Sequence, residues 1–167
     1  MGKLIKLSLI IVLYLSSLTT IFAQTEKIKI YDPKANAEQE MKEAISKAKV
    51  EGKHVFIQVG GNWCSWCVML HKFYTTENQI DSAINANYVV YLLNYSKENK
   101  NLDVLAELGF PQRFGFPVIV ILDAEGKRLH TQNSVYLEEG RGYNKKNFME
   151  FLYNWTPKAV NPESYKK

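Results

Sequence analysis

Residues 63–67 read Trp-Cys-Ser-Trp-Cys and contain the only two cysteines of the 167-residue chain, Cys64 and Cys67. A β-rich segment, His54 to Val59, and the pair Gly60-Gly61 come directly before them, and an apolar helical pattern follows. The sequence therefore predicts a strand, a glycine turn and two cysteines at the start of a helix. The N–H groups of a first helical turn and the helix dipole favour negative charge, so we expect a stabilised Cys64 thiolate.

The spacing of the two cysteines suits thiol–disulfide exchange, in which a thiolate is the attacking species. Cys67 stands three residues after Cys64, near enough to resolve a mixed disulfide by attacking the Cys64 sulfur. We predict a redox-active pair in which Cys64 is partly exposed and Cys67 is shielded. The dipeptide Ser65-Trp66 between them is expected to tune the redox potential.

Other interpretations of the cysteines stay open. A static disulfide across so short a loop would remove little entropy from the unfolded chain. A metal site would use Cys64, Cys67 and His71, although such sites usually contain a second pair of cysteines or histidines. Haem attachment would need a histidine directly after Cys67, and Val68 stands there instead.

The N-terminus has the layout of a secretory signal peptide. Two lysines precede an uncharged, largely apolar run from Leu7 to Phe22, and Ala23 offers a small residue for cleavage before Gln24. The run is shorter than the ~20 residues of a typical spanning helix. We expect residues 1–23 to be removed on export to the periplasm or the medium, with no stable membrane insertion afterwards; a retained anchor is the alternative.

Composition favours a single domain without a nucleic-acid surface. Removing the signal takes two lysines, so the formal charge falls from +4 to +2, and no basic stripe interleaved with aromatic residues is present. Small exported proteins often use several disulfides, but this core must hold by packing. The expected organisation is a signal peptide over 1–23, one domain over 24–156 and a loose polar tail over 157–167.

Helical and strand patterns alternate along the chain. An apolar face over Ala37–Ala48 predicts a helix that begins at Asp32-Pro33 and ends at Gly52, and Cys64 begins a helix that runs to about Asn78. The other predicted elements are buried strands at Tyr88–Leu93 and Pro117–Leu122, a short helix ending at Gly109, an antiparallel strand at Lys127–Thr131 and a last helix capped by Asn144. Such alternation predicts an α/β fold built on βαβ units.

These residues resemble the thioredoxin superfamily. The stretch 63–67 after a strand, with Phe116-Pro117 about fifty residues later at the start of another, is similar to exported thioredoxin-like proteins with a Trp-Cys-x-Trp-Cys signature. The C-terminal domain of the periplasmic transmembrane disulfide reductase is similar too. The likeness covers about residues 35–155. It implies a three-layer sandwich with a central mixed, mostly parallel sheet and an antiparallel C-terminal hairpin.

The resemblance also implies a substrate platform opposite the cysteines. Pro117 would be a cis-proline that faces the disulfide, and the backbone of Phe116 would pair with an extended substrate segment. Trp63 and Trp66 are the other expected substrate-binding residues. No cofactor and no metal is implied, and the redox equivalents would come from an unidentified partner protein.

One position departs from the thioredoxin pattern. A buried aspartate six residues before the first cysteine helps thioredoxin to move protons, and Gln58 stands there in this chain, with Leu92 near the place of its lysine partner. We interpret Gln58 as a hydrogen-bonded strand residue. Water, Glu51, His71 or the substrate would then move the proton.

We therefore expect a thiol–disulfide oxidoreductase that acts on cysteines of other exported proteins, with the reductase or isomerase direction favoured. Two alternatives come from other classes. One is a non-catalytic thioredoxin-like binding module, and the other is a metal carrier that uses Cys64, Cys67 and His71.

Overall fold

The computed structural model describes residues 28–166, so the predicted signal peptide lies outside the described residues. The helices and strands in chain order are α1 (Ala37–Glu51), β1 (His54–Gly60), α2 (Ser65–Thr76), α3 (Asn78–Asn87), β2 (Tyr88–Asn94), α4 (Leu102–Glu107), β3 (Val118–Leu122), β4 (Arg128–Asn133), β5 (Glu138–Glu139), β6 (Gly142–Tyr143), α5 (Lys145–Asn154) and α6 (Pro157–Val160). Within this range no helix has the length and apolar character needed to cross a membrane.

Four strands form one mixed sheet in the order β2–β1–β3–β4. β1 is parallel to β2, whereas β3 is antiparallel to both β1 and β4. β5 and β6 form a separate antiparallel pair near the C-terminus. The predicted mixed-sheet sandwich is confirmed, but only one of the three strand pairs in the main sheet is parallel, so the expectation of a mostly parallel sheet was wrong.

The length of the connections explains this direction of β3. α2 and α3 together carry the chain back along the sheet, so β2 runs parallel to β1. α4 has six residues, and a helix of that length spans only about 9 Å. The chain therefore stays at the end of the sheet where β2 finishes, and β3 starts from that end.

Helices cover both faces of the sheet, which is why all seven residues of β1 are buried. Val55, Ile57 and Val59 belong to the core on the α1 side. Phe56 points to the opposite core, which also contains Leu70 and Tyr74 of α2 and the buried residues of α3 and α5. The cysteines lie directly beyond the end of this central strand, so the best-packed element of the fold supports them.

α1 begins later than the sequence analysis predicted. Asn36, not Asp32, is the N-cap, and its side chain accepts the N–H of Gln39 at 3.1 Å. Asp32 instead accepts the N–H of Lys34 at 2.8 Å and so stabilises a turn before the helix. The predicted end at Gly52 is confirmed, with φ at 64°.

The helix predicted from Cys64 to about Asn78 is confirmed as α2, but a second helix that was not predicted, α3, follows it directly. α2 ends at Thr76, and Glu77 is extended, with φ −82° and ψ 101°, before α3 begins at once. The helical spacing of Ile80, Ala83 and Ile84, which are buried, is the sequence signal for α3. Neither glycine nor proline marks the break at Glu77.

The tail after Thr156 is more regular than the loose segment that was expected. Thr156 caps α6 by accepting the N–H of Ala159 at 3.1 Å, and a further 3₁₀ turn covers Pro162–Tyr165. Proline at the first helical position, as at Pro157 and Pro162, suits such short turns because its φ is already helical.

Candidate functional site

Cys64 is the N-cap of α2, as its position in the sequence predicts. Its backbone is extended, with φ −96° and ψ 103°, and its Sγ accepts the backbone N–H of Cys67 at 3.1 Å. Its carbonyl accepts the N–H of Val68 at 3.2 Å, which is the first bond of the helix. The sulfur of Cys64 therefore sits where free N–H groups and the positive end of the helix dipole meet.

Cys64 and Cys67 form a disulfide, with their Cα atoms 5.2 Å apart. Cys67 has no exposed surface, and Cys64 retains 7%. The shielding of Cys67 is confirmed, but Cys64 is less exposed than predicted. The reason is tertiary: Trp66 and Phe116 pack against the small buried cluster that contains the two cysteines.

Gly60 leaves the space that the Cys67 sulfur occupies. A Cβ at this position would lie 2.5 Å from Cys67 Sγ and 2.8 Å from the hydroxyl oxygen of Tyr31. Real Cβ atoms do not approach other atoms this closely. The glycine is required by this close approach, and the same geometry shows that the sulfur and the Tyr31 hydroxyl oxygen both lie within 3 Å of one point.

Three aromatic rings form a wall beside the cysteines, which we call the aromatic wall: Trp63, Tyr95 and Phe116. Trp63 Nε1 donates to the Tyr95 carbonyl at 2.6 Å, and the Trp63 ring meets the Phe116 ring edge-on at 5.4 Å. Phe116 in turn stacks on Tyr95 at 4.8 Å. The structure thus brings together the predicted residues Trp63 and Phe116, and adds Tyr95, which the sequence analysis missed.

An open cavity of about 670 Å³ adjoins the aromatic wall on the side of Trp63 and Tyr95. Lys97 and Lys100 also line it. Trp63 is 57% exposed, a large value for a tryptophan, so one face of the wall is available to a partner.

Trp66 lies apart from this wall. Its ring packs edge-on against Tyr143 at 5.7 Å, and the Tyr143 hydroxyl donates to the Trp66 carbonyl at 3.1 Å. Trp66 therefore helps to fasten the start of α2 to β6. Its predicted role in substrate binding stays a prediction.

The peptide bond between Phe116 and Pro117 is cis, as the resemblance implies. Pro117 is buried, and Phe116 packs against the cysteine cluster. Within residues 28–166 neither the N–H nor the carbonyl of Phe116 takes part in a hydrogen bond. An extended segment of another chain could pair with these free groups.

Gln58 is fully buried and hydrogen-bonded, which confirms its interpretation as a strand residue. Its Nε2 donates to the Tyr31 hydroxyl at 2.5 Å and to the Cys67 carbonyl at 3.0 Å. Leu92 stands opposite it in the parallel register, so no basic partner is present at that position. The Gln58 side chain thus links the backbone of the second cysteine to a phenol.

Tyr31 is a site residue that the sequence analysis missed. Asn62 holds its segment: Asn62 Oδ1 accepts the N–H groups of Ile30 and Tyr31 at 2.8 and 3.0 Å, and Asn62 Nδ2 donates to the Tyr31 carbonyl at 2.8 Å. Burial raises the pKa of Tyr31 well above its ordinary range, although the hydrogen bond from Gln58 opposes the shift. The sequence holds no signal for a buried Tyr31, because alternation over residues 28–31 would place it on the same face as Lys29.

Glu51 and His71 do not approach the cysteines in the way that proton transfer would require. Glu51 pairs with Lys53 at 2.6 Å, at the far end of β1 from Gly60. The His71 ring packs against Tyr74 at 5.3 Å, and burial lowers the pKa of this histidine. In the part of the chain that the structure describes, no group of three His, Cys, Asp or Glu side chains could hold a metal ion, so His71 completes no site with the cysteines.

Comparison with solved structures identifies the same fold. A disulphide isomerase from Xylella fastidiosa Temecula1 matches with a TM-score of 0.67 and 24% identity, over 76% of this chain and 96% of that one. A DsbH oxidoreductase matches with 0.52 and 21%, over 68% and 81%. A thioredoxin from Thermus thermophilus matches with 0.52 and 15%, over 75% and 92%.

No curated protein sequence matches the chain. The family described as the thioredoxin-like domain matches residues 41–139, more than half of the chain, and this range contains both cysteines and the cis-proline. The resemblance to the thioredoxin superfamily is thereby confirmed, and the chain belongs to the thioredoxin-like domain family.

Proposed function

We propose that this protein is a thiol–disulfide oxidoreductase that exchanges disulfides with cysteines of other exported proteins. The observation that carries the proposal is the cysteine pair at the start of α2, where the N-cap sulfur of Cys64 accepts the N–H of Cys67 and only Cys64 has any exposure. The related folds include a disulphide isomerase and an oxidoreductase, which agrees with this activity.

Cys64 is the nucleophile in the first step of the proposed exchange. In the reduced protein its thiolate would be stabilised by the Cys67 N–H and by the helix dipole. The thiolate attacks one sulfur of a substrate disulfide, forms a mixed disulfide and expels the other substrate sulfur as a thiolate. A static structural disulfide would need no such stabilisation.

Cys67 supports the second step as the resolving cysteine. Its sulfur attacks Cys64 Sγ, the Cys64–Cys67 bond forms, and the bond from Cys64 to the substrate breaks. The substrate leaves as a thiol after taking the proton of Cys67, so the protein is oxidised and the substrate disulfide is reduced by two electrons. The Cα separation of 5.2 Å allows this bond within the existing fold.

The loop at Phe116 supports substrate docking. Its backbone N–H and carbonyl lack partners among the described residues and lie beside the cysteine cluster. An extended substrate segment would add to them as a short strand, in the manner of β-augmentation. The aromatic wall and the adjoining cavity would receive its side chains.

Variants of the two cysteines test the activity. Because Cys67 releases the substrate, Cys67→Ser is expected to accumulate covalent mixed disulfides with proteins of the same compartment, whereas Cys64→Ser traps none. Non-reducing electrophoresis measures the trapping, and insulin reduction measures turnover. If neither variant traps a partner and the unaltered protein does not reduce insulin, a non-catalytic binding module is the better description.

The export and the direction of the reaction are part of the same proposal. We propose that residues 1–23 are removed and that the protein acts in the periplasm or the medium as a reductase or isomerase, supplied with electrons by a partner protein. Mass spectrometry of the mature protein should show Gln24 at its N-terminus. The equilibrium redox potential of the cysteine pair should lie below that of its compartment; a potential above it would make the protein an oxidase.

A further inference from the structure

We propose that the Tyr31 hydroxyl donates a hydrogen bond to the Cys67 thiolate during the resolving step, in place of a buried acid. The inference rests on the proposed function, because the thiolate exists only if the disulfide opens. It assigns a role to a residue that lies outside the matched family range of 41–139.

Position is the first argument. Cys67 Sγ and the Tyr31 oxygen lie within 2.5 and 2.8 Å of the point where a Gly60 Cβ would stand. Tyr31, Cys64 and Cys67 form one buried cluster, and Tyr31 is only 3% exposed. The phenol is therefore adjacent to the sulfur that must ionise and is shielded from water.

The direction of the hydrogen bonds is the second argument. Gln58 Nε2 donates to the Tyr31 oxygen, so that oxygen acts as an acceptor there and keeps its own hydrogen. The same Nε2 donates to the Cys67 carbonyl. An amide turned the other way would place its oxygen against that carbonyl oxygen, so the nitrogen is the atom that faces Tyr31. Among the described residues no acceptor takes the Tyr31 O–H, so it is available to the neighbouring sulfur.

The apolar surroundings of the cysteines are the third argument. The hydrophobic residues packed around the two cysteines and Tyr31 are Ile30, Trp66, Leu92 and Phe116. A buried thiol in such surroundings resists ionisation.

The ionisable groups that interact with Tyr31 are themselves phenols, Tyr74 and Tyr143, and burial raises the pKa of each. His71 faces Tyr74. Because the pKa of Tyr31 is itself raised, its hydroxyl stays protonated and acts as a donor, not as a base.

The hydrogen bond from Tyr31 leaves the bonds and protons exchanged in the resolving step unchanged. Cys67 loses its proton, its thiolate attacks Cys64 Sγ, and the leaving substrate sulfur gains a proton. The Tyr31 O–H stabilises the thiolate before attack, so its loss should slow resolution and raise the pH at which resolution begins.

Tyr31→Phe tests the inference in the reaction of the reduced protein with 5,5′-dithiobis(2-nitrobenzoate). Attack by Cys64 releases one thionitrobenzoate, and resolution by Cys67 releases the second, so stopped-flow absorbance separates the two steps. We expect the second release to slow about tenfold, since a hydrogen bond to a charged group is lost, and its pH inflection to move upward. The first release should stay within about twofold.

Tyr91→Phe is the matched control. It also removes a buried phenolic hydroxyl with one hydrogen bond, to the Ala37 carbonyl at 3.1 Å, but on the α1 side of the sheet. Both releases should be unchanged in this variant. Gln58→Leu removes the group that orients Tyr31 and should slow the second release as well. This variant replaces Tyr31→Phe as the test if Tyr31→Phe does not fold.

The outcomes separate the two proposals. If the unaltered protein shows no second release, the proposed function fails. If it shows both releases and the folded Tyr31→Phe or Gln58→Leu protein resolves at the unaltered rate and pH, the role of Tyr31 is wrong while the function stands.

Discussion

At the scale of single residues, the site depends on small side chains at points of close approach. Gly60 ends the central strand and has a φ outside the left-handed region, so its backbone would accept other residues. Space is what excludes them, because Cys67 Sγ and the Tyr31 hydroxyl oxygen lie within 2.5 and 2.8 Å of the position that a Cβ would take. The residue that terminates β1 therefore also permits the disulfide to lie against the sheet.

Gly60→Ala should lower the free energy of unfolding by about 1–3 kcal/mol, because overpacking of a buried site forces neighbouring atoms to move. It should also alter the rate of resolution by Cys67. Gly142→Ala is the control, since nothing lies within 4 Å of a Cβ at that position. Urea unfolding of the oxidised proteins measures the difference, and equal midpoints would show that the neighbours of Gly60 yield without cost.

At the scale of elements, the start of α2 is connected to three other parts of the fold. Asn62, two residues before Cys64, holds the segment at Ile30 and Tyr31 through three hydrogen bonds. Trp63 donates to the Tyr95 carbonyl beyond β2, and Tyr143 of β6 donates to the Trp66 carbonyl. The start of the helix that presents the cysteines is thus held to the rest of the fold by the side chains of Asn62, Trp63 and Tyr143.

Asn62→Ala should release the segment before α1 without unfolding the domain. The amide protons of Ile30 and Tyr31 lose their acceptor, so their hydrogen exchange should accelerate by at least about tenfold. Exchange is followed by nuclear magnetic resonance or mass spectrometry.

Asn144→Ala is the control for this element. Asn144 caps α5 by accepting the Asn147 N–H at 2.9 Å, so its loss should cost about 1 kcal/mol. Exchange at Ile30 and Tyr31 should be unchanged. If Asn62→Ala leaves their protection intact, contacts other than the Asn62 amide hold the segment.

At the scale of the whole molecule, two aliphatic and aromatic cores on opposite faces of one sheet support the fold without help from cross-links elsewhere in the sequence. The core on the α2, α3 and α5 side is rich in aromatic rings, with Phe56 at its centre in contact with Tyr74, Tyr88 and Phe148. A half-buried histidine, His71, lies at the margin of this core against Tyr74. Its ionisation therefore couples global stability to pH.

His71 should make the fold less stable in acid. Burial lowers its pKa below the ordinary value of 6.5, so the unfolded chain binds this proton more readily than the folded one. Its contribution is complete above about pH 6.5 and is lost as the pH falls through the lower folded pKa. In His71→Gln, the loss of unfolding free energy below that pH should be smaller than in the unaltered protein.

Thermal or urea unfolding across this pH range measures the effect. Lys72→Gln, an exposed change on the same helix, should keep the unaltered pH profile. A His71→Gln profile identical to that of the unaltered protein would show that the ring ionises equally in both states.

Much of the fold follows from short-range patterns in the sequence. The two cysteines begin a helix because a strand and two glycines precede them and an apolar helical face follows. The same kind of local information predicted the strand β2 to within one residue of its end at Asn94, and the helix that Asn144 caps. The patterns did not predict α3, which is separated from α2 by a single residue and has neither a glycine nor a proline to mark its start.

The sequence by itself determined the chemistry of this site, since two cysteines at a helix start allow exchange wherever the rest of the chain lies. Only the tertiary structure decided the surroundings of that chemistry. Tyr31 reaches Cys67 across 36 residues of sequence through Gln58, and Phe116 reaches Trp63 across 53. Such contacts depend on strand direction and on how side chains fill a shared space, and neither quantity is encoded in the neighbours of a residue along the chain.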